Sequence, residues 1–188
     1  TRSQARSNIH NLGSNIWQMD FAQMWYVGML FLVEFADWNG ERIGRGCSAN
    51  NSKENNGRTD AMQYHTGTTA ANRDSYGFTQ YRNIEGWWDN VFDWMDGCYY
   101  NSNGLNVIKN PAQFSDSANG VLVGKPAGSD YPSDLAIPTQ DGMEWALYPS
   151  AVNGSQTTYV PDGWDFGGSS PCLRHGGGYG QGLYFGPF

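Results

Sequence analysis

Apolar residues recur at three-to-four spacing between Asp20 and Asp37, where Phe21, Met24, Trp25, Phe31, Leu32 and Phe35 fall on one helical face. This spacing predicts the one long helix of the chain, with Asp20 as its N-cap and Asn39-Gly40 as its stop signal. Its apolar stripe is expected to pack into the core. Glu34 and Asp37 are expected to pair with Arg42 or Arg45. Ahead of this helix, Thr1 to Leu12 is polar and Arg-rich. Ser3 is placed to cap a short helix that stops at Gly13. Arg2 and Arg6 are expected on its solvated surface.

A second pattern runs from Tyr81 to Gly97, which holds three tryptophans (Trp87, Trp88, Trp94) and five charged side chains. Short, β-branched, aromatic and punctuated by Gly86 and Gly97, it predicts a buried strand. Val91, Phe92, Trp94 and Met95 are expected to be buried with it. Asn90, Asp93 and Asp96 sit among these aromatics, and buried polar groups need partners. Two readings are open for them: they tie down neighbouring loops, or they ligate a structural calcium through oxygen.

The rest of the chain reads as loops and short strands. Cys47 to Gly57 is polar and predicts a surface loop. Arg58 to Thr79 is expected to cover the core strand, with His65 in a packing or hydrogen-bonding role. Tyr99-Tyr100 continue the strand, Asn101 to Gly104 turn it, and Leu105 to Ile108 return. Val121 to Val123 is a short strand, Gly124 to Asp134 an irregular connection, and Met143 to Tyr148 a strand closed by Pro149. Cys172 to Arg174 and Leu183 to Phe185 read as a strand pair around the glycine-rich tip His175 to Gly182.

Composition narrows the function. The 188 residues suit one domain, and 25 glycines with 15% aromatic and 15% charged residues describe a loop-rich, aromatic-packed chain. A net charge of -7 without a basic patch argues against nucleic acid and anionic membranes. The longest apolar run, Trp25 to Phe35, is too short to span a bilayer. No signal peptide is visible and the chain does not begin with Met, so an upstream segment or a trimmed end is expected. Cys47, Cys98 and Cys172 form no CxxC and no Cys/His cluster for zinc, and leave open one disulfide or three thiols.

No catalytic constellation is evident. His10, His65 and His175 make no HxxxHxE set, no Ser-His-Asp arrangement is visible, and Glu144, Asp162 and Asp165 show no acid/base spacing. The glycine-rich end does carry binding chemistry. Trp164, Asp165, Phe166, Arg174, His175, Tyr179, Gln181 and Tyr184 combine aromatic and polar groups of the kinds favoured in binding hot spots. Arg174, His175, Tyr179 and Gln181 are expected to be exposed. Trp164, Phe166 and Tyr184 suit either the platform or the core.

A family resemblance covers nearly the whole chain. Asp89-Asn90-Val91-Phe92-Asp93-Trp94 resembles the Gly-Asn-Val-Trp-Glu-Trp core segment of the formylglycine-generating-enzyme branch of the C-type lectin fold. The longer run Tyr81 to Asn106 is similar to lectin-fold variable proteins of gut phages and prophages, some of them mutated by diversity-generating retroelements. Thr1 to Arg6 resembles the TRSEAR opening of these modules. Val33 to Asn39, Ile43 to Ser48, Tyr64 to Thr68 and Ser169 to Leu173 match in order. The resemblance implies an α+β C-type lectin fold (formylglycine-generating-enzyme-like variant), with short antiparallel sheets, one long and one short helix, and many loops. Residues 1–188 would form a single ligand-binding domain, the C-terminal part of a longer protein, with its last strand paired near the N-terminus so that the termini meet.

The implied function is receptor binding by a phage or prophage tail protein, at the virion tail or a cell surface. Its variable C-terminal surface would display Trp164, Asp165, Arg174, His175, Tyr179, Gln181 and Tyr184. The partner would be a bacterial cell-surface protein or glycan, with a homotrimer as the assembly and no cofactor, structural calcium remaining open. The tip from Gly176 to Leu183 is shorter and richer in glycine than the family's variable tip. The EPN, QPD and WND triplets of calcium-dependent glycan binding are missing, as is the close cysteine pair of formylglycine-generating enzymes. The alternatives are a divergent formylglycine-generating-type oxidoreductase and a non-adhesive virion structural module.

Overall fold

Two helices and ten short strands form among the described residues of this computed structural model, which are 1–46, 53–88, 90–165, 172–180, 184, 186 and 188. The fold is mixed α+β, with four small antiparallel sheets among those residues.

Helix α1 (Arg2–His10) begins earlier than the sequence suggests. Thr1, not Ser3, caps it: its hydroxyl accepts from the Gln4 N–H and the Gln4 side chain reaches back, forming a capping box. Helix α2 (Phe21–Phe35) forms where the periodicity puts it, with Asp20 and Gln23 as its capping box. Ala36 in the left-handed region ends it, and Asn39 caps a following 3-10 turn instead of stopping the helix. One face of α2 (Phe21, Met24, Trp25, Gly28 and Phe31) is buried. Gly28 lets that face come close to the C-terminal residue: a Cβ there would stand 3.1 Å from the ring of Phe188. Tyr26, Leu30 and Val33 face outward.

Strands β1 (Gly67–Thr68), β2 (Thr79–Tyr81) and β3 (Ile84–Glu85) make the first sheet. Arg82 and Asn83, with φ of 50° and 65°, form the two-residue turn between β2 and β3. Strand β4 (Asp93–Trp94) follows, then the hairpin of β5 (Cys98–Asn101) and β6 (Gly104–Val107), to which β7 (Val121–Gly124) adds. Strands β8 (Asp134–Ala136) and β9 (Tyr148–Ala151) pair with each other, and β10 (Arg174–His175) pairs with β4.

Several expectations are corrected. Residues 81–97 are not one buried strand, because left-handed backbone at Gly86, Asn90 and Gly97 breaks the run. Trp87, Trp88 and Met95 are buried, whereas Val91 (47%) and Trp94 (42%) are exposed. Met143 and Ala146 are buried in turns, and the strand begins at Tyr148 with Pro149 inside it. The expected pairing of Cys172 to Arg174 with Leu183 to Phe185 falls largely outside the described residues. Arg174–His175 takes Asp93–Trp94 as its partner, and residues 183 and 185 lie outside the described residues. Glu34 bonds Arg82 and the Tyr81 hydroxyl instead of Arg42 or Arg45, and Asp37 accepts from the Asn39 N–H.

The loop-tying reading of the polar core residues holds for two of them. Asn90 clasps the backbone of Glu54, accepting at 2.8 Å and donating at 3.0 Å. Asp96 is held by Arg6 in a bidentate pair at 2.5 and 2.6 Å. Asp93 is half-buried, and burial pushes its carboxyl up.

The largest correction concerns Arg2 and Arg6, which point inward. Arg2 is 4% exposed and donates to the carbonyls of Met95 (2.8 Å) and Cys98 (2.7 Å) and to Asp116 (2.9 Å). Arg6 reaches Asp116 as well, at 2.9 Å. The Asp96 backbone bonds Met19 O and Phe21 N, so one residue links α1, the start of α2 and the core segment.

Removing one partner of a buried ion pair costs about 3–5 kcal/mol, because it strands the other charge. Asp96→Ala is therefore expected to destabilise by about that amount in chemical denaturation, with Asp96→Asn losing less. Burial pushes the Asp116 carboxyl up, but the hydrogen bonds from Arg6 and Arg2 outweigh it and hold the group below its ordinary range. A depressed carboxylate stabilises the fold above its unfolded pKa of about 3.9 and loses that contribution as pH falls through the folded value. The melting temperature is expected to drop on acidification below about pH 4, and Asp116→Asn to flatten that drop.

Candidate ligand-binding cavity

Pairing of β4 with β10 sets Arg174 opposite Trp94 and His175 opposite Asp93. Side chains alternate along a strand, so Phe92, Trp94 and Arg174 share one face. The Arg174 guanidinium lies over the Phe92 ring, 4.3 Å from its centroid. Beside it stands the exposed indole of Trp94, whose carbonyl accepts from the Gln18 side chain. On the other face His175 is 5% exposed and packs on Trp87, ring centroids 4.7 Å apart. Met95 N–H to Leu173 O, at 3.1 Å, continues the pairing.

A cavity of about 690 Å³ opens against this strand pair, within the size range of ligand sites. Phe92, Trp94 and Arg174 line one part of it. Phe21, Met24, Met95 and Phe188 supply buried apolar wall. Arg2, Tyr100 and Asp116 line it from the N-terminal helix and the hairpin region, and Trp164 and Asp165 from the C-terminal part.

The charged groups differ in what they still offer. Asp116 already accepts from both Arg2 and Arg6, and Asp165 accepts from Ser129 at 2.7 Å. Arg174 has no oxygen acceptor among the described residues; its partner is the Phe92 ring. Arg2 spends Nε and Nη1 on oxygens, while Nη2 is buried without a hydrogen-bond partner among the described residues. Burial pushes the Cys172 thiol up despite Arg2, and it pushes the fully buried Cys98 thiol up further. Neither is the low-pKa thiol that nucleophilic chemistry uses.

Of the sequence-predicted site residues, Trp164, Asp165, Arg174 and His175 come together at this cavity. Asp165 and Arg174 are exposed, whereas Trp164 and His175 are buried, Trp164 against Trp25 at 6.0 Å. The expected exposure of His175 is thus corrected, because its ring fills the space over Trp87. Tyr179 is 49% exposed and its N–H bonds Asn90 O, but it stands outside the lining. Tyr184 is half-buried against Tyr131 and also outside it. Gln181 and Phe166 lie outside the described residues. Sequence reasoning missed Arg2, Phe92, Trp94 and Tyr100 as wall residues. The Phe92-Asp93-Trp94 alternation was the available signal for two of them. No family model matches the chain, and no significant match is found among curated proteins or solved structures.

Next to the cavity, Gly163 and Gly186 let other groups come close: a side chain at Gly163 would collide with the Tyr184 ring, and one at Gly186 with the Asp162 carboxylate. Asp162 is buried, and its Oδ2 has no hydrogen-bond partner among the described residues. Burial, and then the charge of Glu41, push this carboxyl well up, partly offset by the Phe188 N–H. A raised carboxyl stabilises the fold below its unfolded pKa of about 3.9 and costs stability as pH rises towards the folded value. Asp162→Asn is therefore expected to be more stable than the parent chain at neutral pH. Denaturant midpoints are expected to converge near about pH 4 and to separate at neutrality.

Proposed function

We propose that the chain is a receptor-binding domain of a phage or prophage tail protein, working by non-covalent adhesion to a bacterial cell-surface molecule. The observation that carries this reading is the Arg174–Phe92 stack beside exposed Trp94, at a cavity shared with Trp164 and Asp165. Exposed aromatics and arginine are what binding hot spots use. Of the cysteines among the described residues, Cys98 and Cys172 have thiols raised by burial, which does not suit nucleophilic chemistry at either.

The finer fold in this proposal is the formylglycine-generating-enzyme-like variant of the C-type lectin fold. Its support is the in-order resemblance of segments along the chain, the helix-then-short-sheets architecture, and the meeting of Thr1, Arg2, Gly186 and Phe188 at one cavity. Location at the virion tail or cell surface, trimeric assembly and retroelement diversification belong to the same proposal. No described helix is long and apolar enough to cross a membrane.

The test is binding of the purified chain to a panel of intact gut bacteria, with and without EDTA. Selective binding is expected to fall at least about tenfold in the double variant Trp94→Ala, Arg174→Ala. Tyr179→Ala, outside the cavity, is expected to have a smaller effect. Binding unchanged in the double variant would move the site elsewhere on the surface. Binding to no strain at all would favour a structural role in the virion, and loss in EDTA would bring calcium into the site.

A further inference from the structure

We propose that the cavity takes an acidic peptide segment in which a carboxylate stands beside a large apolar side chain. This rests on the adhesive reading above and narrows its ligand from protein or glycan to peptide. The argument starts from hydrogen-bonding capacity left unused in the wall. The carboxylates are supplied: Asp116 takes Arg2 and Arg6, and Asp165 takes Ser129. The guanidiniums are not. Arg174 has one face on Phe92, which leaves its N–H edges without an oxygen acceptor among the described residues. Arg2, buried in the same wall, has its Nη2 without a hydrogen-bond partner among the described residues. A ligand that satisfies this wall brings acceptor oxygens, and a carboxylate matches a guanidinium edge with two parallel hydrogen bonds.

The remaining wall decides what the carboxylate is attached to. Phe21, Met24, Met95 and Phe188 are buried apolar groups. Sugar hydroxyls pressed against them would lose water and gain no partner. An aromatic or aliphatic side chain loses nothing there. Trp94 alone would stack equally well on a sugar ring or on a peptide. The apolar wall and the unused guanidinium edges favour the peptide.

The experiment titrates the 188-residue chain with the blocked tetrapeptide acetyl-Gly-Phe-Asp-Gly-amide, followed by tryptophan fluorescence. Controls replace Asp by Asn or Phe by Ser in the peptide, and glucuronic acid forms a glycan arm. The Phe-Asp peptide is expected to bind about tenfold tighter than its Asn form, the scale of a hydrogen bond to a charged group. Arg174→Gln, an exposed site, is expected to erase that difference with the far-ultraviolet circular dichroism unchanged. Equal binding of the Asp and Asn forms overturns the proposal. So does a preference for Asp that survives Arg174→Gln, or binding of glucuronic acid in place of peptide.

Cells separate this proposal from the adhesive reading itself. Adhesion abolished by surface proteolysis and kept after periodate supports the peptide. Adhesion abolished by periodate and kept after proteolysis overturns the peptide and leaves adhesion standing. Peptide discrimination without adhesion to any strain sinks the adhesive reading and leaves the peptide site.

Discussion

The buried carboxylate of Asp96 is the constraint on which the rest of the arrangement depends. It is 1% exposed and grips Arg6 from helix α1. Its own backbone bonds the residues on either side of the α2 N-cap, Met19 and Phe21. A carboxylate at this depth is tolerable only because charge and hydrogen bonds meet it on several sides. With it fixed, Arg2 is drawn under the core segment onto the Met95 and Cys98 carbonyls, and Asp116 closes the network. The polar first helix, which buries little apolar surface of its own, is thereby tied to the aromatic core by electrostatics.

Where the folding information is local, the sequence was readable. Helix α2 announces itself through its apolar period and the Asp20 cap, and the β5–β6 hairpin through its flanking apolar pairs and the turn between them. The arginines were not readable, because their partners are distant: Arg2 meets Asp116 across 114 residues and Arg6 meets Asp96 across 90. Nothing within a helical turn of Arg2 distinguishes a solvated side chain from one driven into the core. The same distance effect hid Trp94, which looked like core until Arg174 became its partner across the ladder.

Of the candidate site, the C-terminal half was legible and the opposite wall was not. Composition picked out Trp164, Asp165, Arg174 and His175 as aromatic and polar groups beside a glycine-rich tip, since Trp, Tyr and Arg are favoured in binding hot spots. Composition could not separate the exposed guanidinium of Arg174 from the buried ring of His175. That distinction comes from strand alternation, and the strand in question is only two residues long. Phe92 serves both sides of the division: it belongs to the aromatic core segment by sequence and to the cavity by its contact with Arg174.

The cavity draws its walls from residues near both ends of the chain, Arg2 on one side and Phe188 on the other, with Trp94 between them in sequence. Contacts of such long sequence separation carry a loop-closure cost and go with slow folding. The aromatic core around Trp25, Trp88 and Tyr81 takes in Phe188 as well, and Arg2 bonds the carbonyls of Met95 and Cys98 beside it. Recognition and the core therefore share these residues, and loss of Arg2 or Phe188 would weaken both. The lifetime of the binding surface is then tied to that of the fold, because the residues that line the one also hold the other.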